Sequence, residues 1–404
     1  MINPSANGWI DKFFSTQKPL LFSPEDDLPT FYKKVRKSGF IYGHIVSINT
    51  YPAIEINNWL EVEISKVSLL NTLFSIYVLT AKNNNVEVFV NKASTFYDEM
   101  NPQGFNFFKN VLPYESQSIH LEKIIDGRVQ TNIDIINKKF SNILTNALLF
   151  IDVLAFQQYL IHEKIPEHYL IKIEETIINI VSLSLNTKSN KSNYDNLLIK
   201  LFESSVRYSK FSKLNYSNGN LGIEQFELDY FTNELEKFYL IDMAGLSLWS
   251  DGILEKNEAY FLHKLAEAMS ISDTTVNESI IDTNEFISEN RGNIPYFNYS
   301  NPVKHFYDQT AQTVTKLISR NKTRLTKEIV QSKELMLLLS ISTRRELNEK
   351  EKKKVKKQLL DICKSVPALT IFLLPGGSLL LPILVKFIPT LLPSAFNENL
   401  ESED

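Results

Sequence analysis

Apolar positions recur at helical spacing along most of this chain, and strand-like alternation is confined to short stretches. Phe31-Tyr-Lys-Lys-Val-Arg36 predicts a short helix. Val67 to Thr80 is apolar over fourteen residues, short for a bilayer crossing and suited to a buried helix. Val86-Glu-Val-Phe-Val90 alternates like a strand, although five residues do not define a sheet. From about Ser118 the pattern is helical. Ile119 to Lys139 is amphipathic and leads into Phe140 to Ile161, whose only charge is Asp152. There Leu144, Leu148, Ile151 and Ala155 mark one face, and Leu149, Val153, Phe156 and Leu160 another. A helix apolar on most sides is buried in protein or lipid. Asn142, Asn146, Gln157, Gln158 and the cost of an Asp in hydrocarbon favour protein.

Further helices are expected over Glu167 to Leu185, Glu224 to Leu248 and, as one or two long elements, Val303 to Leu339. Asn186 to Asn196 and Asn215 to Gly222 predict polar connections, and Ser272 to Pro295 is expected to be partly loop. A further predicted helix opens with Asn348 as cap and Glu351 closing a capping box. It carries Lys350, Lys352, Lys353, Lys354, Lys356 and Lys357, with Leu359, Leu360, Ile362 and Cys363 as its apolar part. From Val366 to Val385 twenty residues carry no charge, and the apolar run resumes after Lys386 to Phe396. Pro367, Pro375, Pro382, Pro389 and Pro393 punctuate it. Such prolines suit a soluble core helix poorly, whereas a membrane segment tolerates them when neighbours satisfy the freed backbone groups.

The expected architecture is all-α: a multi-helix bundle body with a C-terminal proline-kinked hydrophobic membrane helix. At 404 residues the chain is long for one domain. The divisions are a mainly helical region over 1–115, a helical domain over 116–300, and a C-terminal segment over 301–404 with its membrane helix at about 366–389. Twelve glycines argue against a turn-rich β protein. A net charge of −4 gives no global pointer to nucleic acid, so no direct DNA binding is expected. The single cysteine, Cys363, excludes an internal disulfide framework. The start has neither a basic n-region nor a continuous apolar h-region, so the bulk of the chain is expected in the cytoplasm. Nine Lys or Arg lie between Arg344 and Lys364 while the tail carries acids, which places the basic helix on the cytoplasmic side of the cytoplasmic (inner) membrane. The apolar segment is read as spanning, with a re-entrant or interfacial hairpin turning at Pro375-Gly-Gly377 and a buried soluble element as the alternatives.

Candidate chemistry is sparse. Trp249-Ser-Asp251-Gly252-Ile-Leu-Glu255-Lys-Asn-Glu258 joins two helical segments. Asp-Gly is good turn chemistry and acids favour the start of the next helix. Asp251, Glu255 and Glu258 are also candidate oxygen ligands for a shallow divalent cation site. No phosphate loop, dinucleotide fingerprint or zinc signature is present, and His44, His120, His162, His168, His263 and His305 are scattered. No nucleophile can be assigned, so the expectation is a non-enzyme without an organic cofactor. The lysines of the helix opening at Asn348 are candidates for binding anionic lipid or a protein partner, with a solvated charge run as the alternative.

Two resemblances sharpen this. Asp242 to Ser272, with its Asp-Gly turn and Ala-Glu-Ala-Met-Ser-Ile271, resembles the tellurite-resistance TerB-like helical domain, loosely over 120–290. That implies an all-helical module with acidic residues suspected of metal contact. Leu347 to Pro367, then Leu373-Leu-Pro375, Leu380-Leu-Pro382, Lys386-Phe-Ile-Pro389 and Pro393-Ser-Ala-Phe396, resembles the membrane segment of the LETM family in proline spacing and in the Leu-Pro-Ser-x-Phe ending. With the start Asn3-Pro-Ser-Ala-Asn-Gly-Trp-Ile-Asp-Lys12, the whole chain is similar to bacterial LETM-related biofilm-associated proteins. The resemblance implies a membrane-anchored interaction or scaffold protein supporting biofilm or surface behaviour, with lipid and a protein partner or second copy as its contacts. Cation or proton exchange is an implied alternative, but the family's acid after the second proline is Ser378 here, and no EF-hand loop is present. Ribosome binding is the other, although the family continues past the Leu-Pro-Ser-x-Phe ending into a helical ribosome-binding region and this sequence reaches Asp404 eight residues later.

Overall fold

A computed structural model describes residues 2–17, 27–100, 116–129, 147–188, 202, 208, 222–249, 254–292, 294 and 315–365. Among these residues the structure is all-α, without a strand. The chain divides into two compact units, Met1–Ile135 with Lys139–Ser300, and Asn301–Asp404 with Ile136–Lys138.

The first unit contains α1 (Trp9–Thr16), α2 (Leu28–Lys37), α3 (Glu61–Ala81), α4 (Val86–Met100), α5 (Gln117–Val129), α6 (Phe150–His162), α7 (Tyr169–Asn186), α8 (Glu234–Leu248), α9 (Lys256–Ala268) and α10 (Asp273–Asn290). Helix α3 packs on α6, α5 and α2, while α8 packs on α7, α10, α9 and α2. A continuous hydrophobic core joins them, with aromatic rings clustered within it. The Phe150 ring lies 5.1 Å from Tyr239 and 5.6 Å from Tyr32, and Phe156 lies 5.1 Å from Phe96.

Helix α3 is, among the described residues, the one long and apolar enough to cross a membrane. Its surroundings give it another role, since 89 % of the apolar window is buried inside the unit. Within the helix Thr72 Oγ1 donates to the Ser68 carbonyl and Ser75 Oγ to the Asn71 carbonyl, each at 2.7 Å. It is the buried helix expected from Val67 to Thr80. Helix α6 is likewise buried, with Asp152 fully enclosed.

Three local expectations are corrected. Val86 to Val90 opens helix α4 rather than a strand. Its buried Phe89, Val90, Ala93, Phe96, Tyr97 and Met100 follow helical spacing, a period that a five-residue window cannot separate from alternation. The helix expected from Glu224 begins at Glu234, because Asn233 accepts from Leu235 N at 3.0 Å and caps it. Residues 223–225 and 228–230 are short 3-10 turns. Ser272 to Pro295 is mostly helix α10. Ser272 is its N-cap, and its buried face of Val276, Ser279, Thr283, Phe286 and Ile287 includes two small polar residues that disguise the apolar stripe.

The second unit contains α11 (Lys322–Gln331), α12 (Lys333–Arg344) and α13 (Glu349–Ser365). All three helices pack against one another. Leu325 and Ile329 from α11, Leu335, Leu338 and Leu339 from α12, and Val355, Leu359, Ile362 and Cys363 from α13 are buried. Helices α11 and α12 fill part of the Val303 to Leu339 expectation. The membrane-segment residues Pro367, Pro375, Pro382, Lys386, Pro389 and Pro393 lie outside the described residues.

Candidate functional site

Helix α13 is the strongest candidate surface. Its start follows the predicted capping box. Asn348 Oδ1 accepts from Glu351 N at 2.9 Å, and Glu351 Oε2 accepts from Asn348 N at 2.8 Å. Arg345 grips the same carboxylate with two bonds of 2.9 and 2.7 Å. These contacts, the Arg345 hydrogen bond first, pull the Glu351 carboxyl down to about 2. The cap is therefore tied to the end of α12, which fixes where α13 leaves the loop.

Burial of Val355, Leu359, Ile362 and Cys363 defines the inner face of α13. With 3.6 residues per turn, Lys350, Lys353 and Lys357 fall on the opposite face, with Lys356 beside them. All four are exposed. Three other lysines are engaged: Lys352 with Glu349 at 3.2 Å, Lys354 with Glu334 at 2.8 Å and Lys364 with Asp361 at 2.6 Å. Gln358 also donates to Glu334, and Ser332 Oγ donates to Gln358 Oε1 at 3.1 Å. Glu334 is held below the ordinary carboxylate range by the Lys354 hydrogen bond and charge. Lys350, Lys353 and Lys356 form no ion pair among the described residues. Lys357 lies near enough to Glu334 and Asp361 to help lower both carboxyls. The result is a row of exposed lysines, three of them without an ion pair among the described residues, on a helix anchored from its other side.

The candidate cation ligands have structural partners. Glu255 is the N-cap of α9, and Glu258, buried, accepts from Glu255 N at 2.7 Å. Glu258 also faces buried Lys188 at 4.0 Å. Asp251 lies outside the described residues, and no group of three potential ligands occurs among those described.

Two buried charge clusters were not singled out from sequence. Asp242 on α8 accepts from Arg36 Nε at 2.9 Å, Arg36 Nη2 at 3.2 Å and Tyr32 OH at 2.7 Å, and from Ser279 Oγ. Arg36 also meets Asp282 at 3.0 Å. One carboxylate thereby joins α2, α8 and α10. Burial opposes the Arg36 charge, but the adjoining Asp242 outweighs it and holds the guanidinium protonated above its usual range. Asp152 on α6 similarly accepts from Arg128 Nε at 2.7 Å and Tyr97 OH at 3.0 Å, with a second bond from Arg128 Nη2. The signal was present: a single acid inside an apolar helix needs a cation nearby. The third feature missed is the carboxylate Glu236, which accepts from Tyr169 OH at 2.8 Å and Gln158 Nε2 at 2.7 Å. Each cluster is enclosed, so each reads as fold-specifying rather than as a site open to a ligand.

The N-terminal motif also has a structural account. Ser5 Oγ donates to Glu63 at 2.6 Å, and Lys66 Nζ reaches the Pro4 carbonyl at 3.3 Å. Gly8 and Ile10 N–H groups donate to Glu122 at 2.9 and 2.8 Å. Gly8 has φ of 84°, which turns the chain into α1, and Trp9 is buried behind it. Burial raises the Glu122 carboxyl, offset in part by those backbone donors.

Taken together, the fold and the exposed lysine face define, among the described residues, an all-helical protein with a basic helix at Glu349–Ser365. Residues 347–404 match the family model described as LETM1-like, RBD, the ribosome-binding domain. The match opens at the cap of α13 and takes in the lysine row, supporting the LETM-like resemblance of this segment. No curated protein and no solved structure matches the chain.

Proposed function

We propose that this chain is a membrane-attached, non-enzymatic interaction protein of LETM-related type. Residues 301–404 form its attachment end, and the helical unit before them is the cytoplasmic body. The observation that carries this reading is the coincidence, over 347–404, of the family match, an anchored helix with an open lysine row and a directly following uncharged stretch of twenty residues. Twelve Val, Leu, Ile or Phe residues in that stretch contribute roughly −4 to −7 kcal/mol to insertion, offset in part by its prolines, glycines, Ser and Thr. The TerB-like character of 116–300, a weak divalent cation contact at Asp251, Glu255 and Glu258, and a role in biofilm or surface behaviour belong to the same proposal. Carbonate extraction tests it: the full-length chain stays with the membrane pellet. Recovery as a well-behaved monomer in the supernatant without detergent refutes it.

The family description favours a second reading, attachment to ribosomes through the same region. Co-sedimentation with ribosomes at moderate salt tests that reading, and pelleting no better than a chain lacking 334–404 removes it. Cation exchange is separated by flux measurement in purified liposomes, where the interaction reading expects none.

A further inference from the structure

We propose that Lys350, Lys353 and Lys357, with Lys356 beside them, form a docking face for the anionic headgroups of a phospholipid bilayer, along which α13 lies flat. The inference deepens the membrane-attachment reading and rests on it.

The four ammonium groups are exposed on a helix whose opposite side is fixed in a three-helix core. Their positions are therefore set by packing, and docking does not have to order the helix. From Lys350 to Lys357 the row runs about 10 Å along the axis at 1.5 Å per residue. Electrostatic attraction to a charged surface fades within a Debye length of about 8–10 Å at ordinary salt. A helix of 17 residues standing on end would carry its first lysines beyond that distance. Lying flat, it brings all four within range together.

The chemistry of the face selects the partner. Helix α13 has seven lysines, no arginine and no aromatic residue. Lysine is a flexible point charge suited to a diffuse layer of phosphate, whereas paired recognition of individual phosphates or base edges favours arginine. Unpaired RNA bases are held by stacking on aromatic or guanidinium planes, and this face offers neither. The described helix runs to Ser365 and the uncharged stretch begins in sequence at Val366, so the lysines sit in sequence where a bilayer would meet the chain. A cluster of basic residues beside a hydrophobic segment is attracted to acidic lipid.

The test uses the full-length chain and flotation with vesicles of phosphatidylcholine alone or mixed with phosphatidylglycerol. The variant carries Lys350→Gln, Lys353→Gln, Lys356→Gln and Lys357→Gln. A second variant with Lys12→Gln, Lys33→Gln, Lys37→Gln and Lys256→Gln, all exposed in the first unit, changes net charge equally. The native chain is expected to prefer anionic over neutral vesicles, with the preference fading at high salt. Each lysine removed from α13 should lower that preference by up to about fivefold, leaving attachment to neutral vesicles in place. The second variant should retain the preference. An unchanged preference in the α13 variant, or equal loss in both variants, overturns the inference while attachment to neutral vesicles leaves the membrane reading standing. Absence of binding to either vesicle type overturns both. Displacement from anionic vesicles by structured RNA at low competitor overturns the choice of lipid.

Discussion

Replacing Asp242 with Ala tests the claim that one buried carboxylate clamps α2, α8 and α10. Asp242 is fully buried and accepts from Arg36, Tyr32 and Ser279. Its loss leaves the Arg36 guanidinium enclosed with Asp282 as its remaining acid, and leaves two hydroxyls without their acceptor. Breaking a buried ion pair from one side costs about 3–5 kcal/mol. Against a typical folding stability of about 5–15 kcal/mol, that is a large fraction. The three tryptophans, Trp9, Trp59 and Trp249, are all buried in the first unit, so their fluorescence reports on that unit within the full-length chain. With a urea slope of about 3 kcal/mol per molar, the midpoint should fall by roughly 1–1.7 M. Removing both charges as Arg36→Met with Asp242→Leu should recover part of the loss, because the fully buried charges are gone and only the partly exposed Asp282 loses its cation. A loss below about 1 kcal/mol for Asp242→Ala, or a double variant no better than the sum of the singles, refutes the clamp.

Gly39 has φ of 82°, and an added Cβ would overlap the His44 carbonyl and approach the Phe286 ring to 2.7 Å, so Gly39→Ala should cost more than about 1 kcal/mol by urea unfolding. Glu351 should titrate at about 2 by carboxyl NMR and move up towards its ordinary value in Arg345→Gln. Its folded-state value is depressed, so its contribution to stability is present above the unfolded value near 4.5 and is lost as pH falls from there through about 2. Cys363 is buried and burial raises its thiol to about 12, so alkylation at mildly basic pH should be slow in the folded chain and fast in denaturant. Equal rates in the two states would place Cys363 outside the three-helix core.

Much of the helical framework was legible because its signals are local. Hydrophobic pattern marked α2 and α7, an apolar run of fourteen residues marked α3, and Asn348 with Glu351 marked the start of α13, since a capping box closes within one helical turn. Legibility failed where small polar residues occupied the core face of α10, and where five residues of α4 fitted two periods. The candidate lysines were readable as a list, but their division was not. Whether Lys354 is engaged depends on Glu334, twenty positions away on another helix.

The order of residues by itself determined that this protein is helical, that its centre is apolar and that the helix opening at Asn348 is basic. Periodicity, caps and charge runs act over a few residues and need no knowledge of the fold. Only the tertiary structure decided which charges neutralise one another: Arg128 with Asp152 across 24 positions, and Arg36 with Asp242 across 206. It also decided which helices enclose α3, the buried helix expected from its apolar run: α6, α5 and α2. Such outcomes depend on which faces meet when helices pack, because a buried charge must find its counter-charge in space and sequence distance sets no limit on where that partner lies.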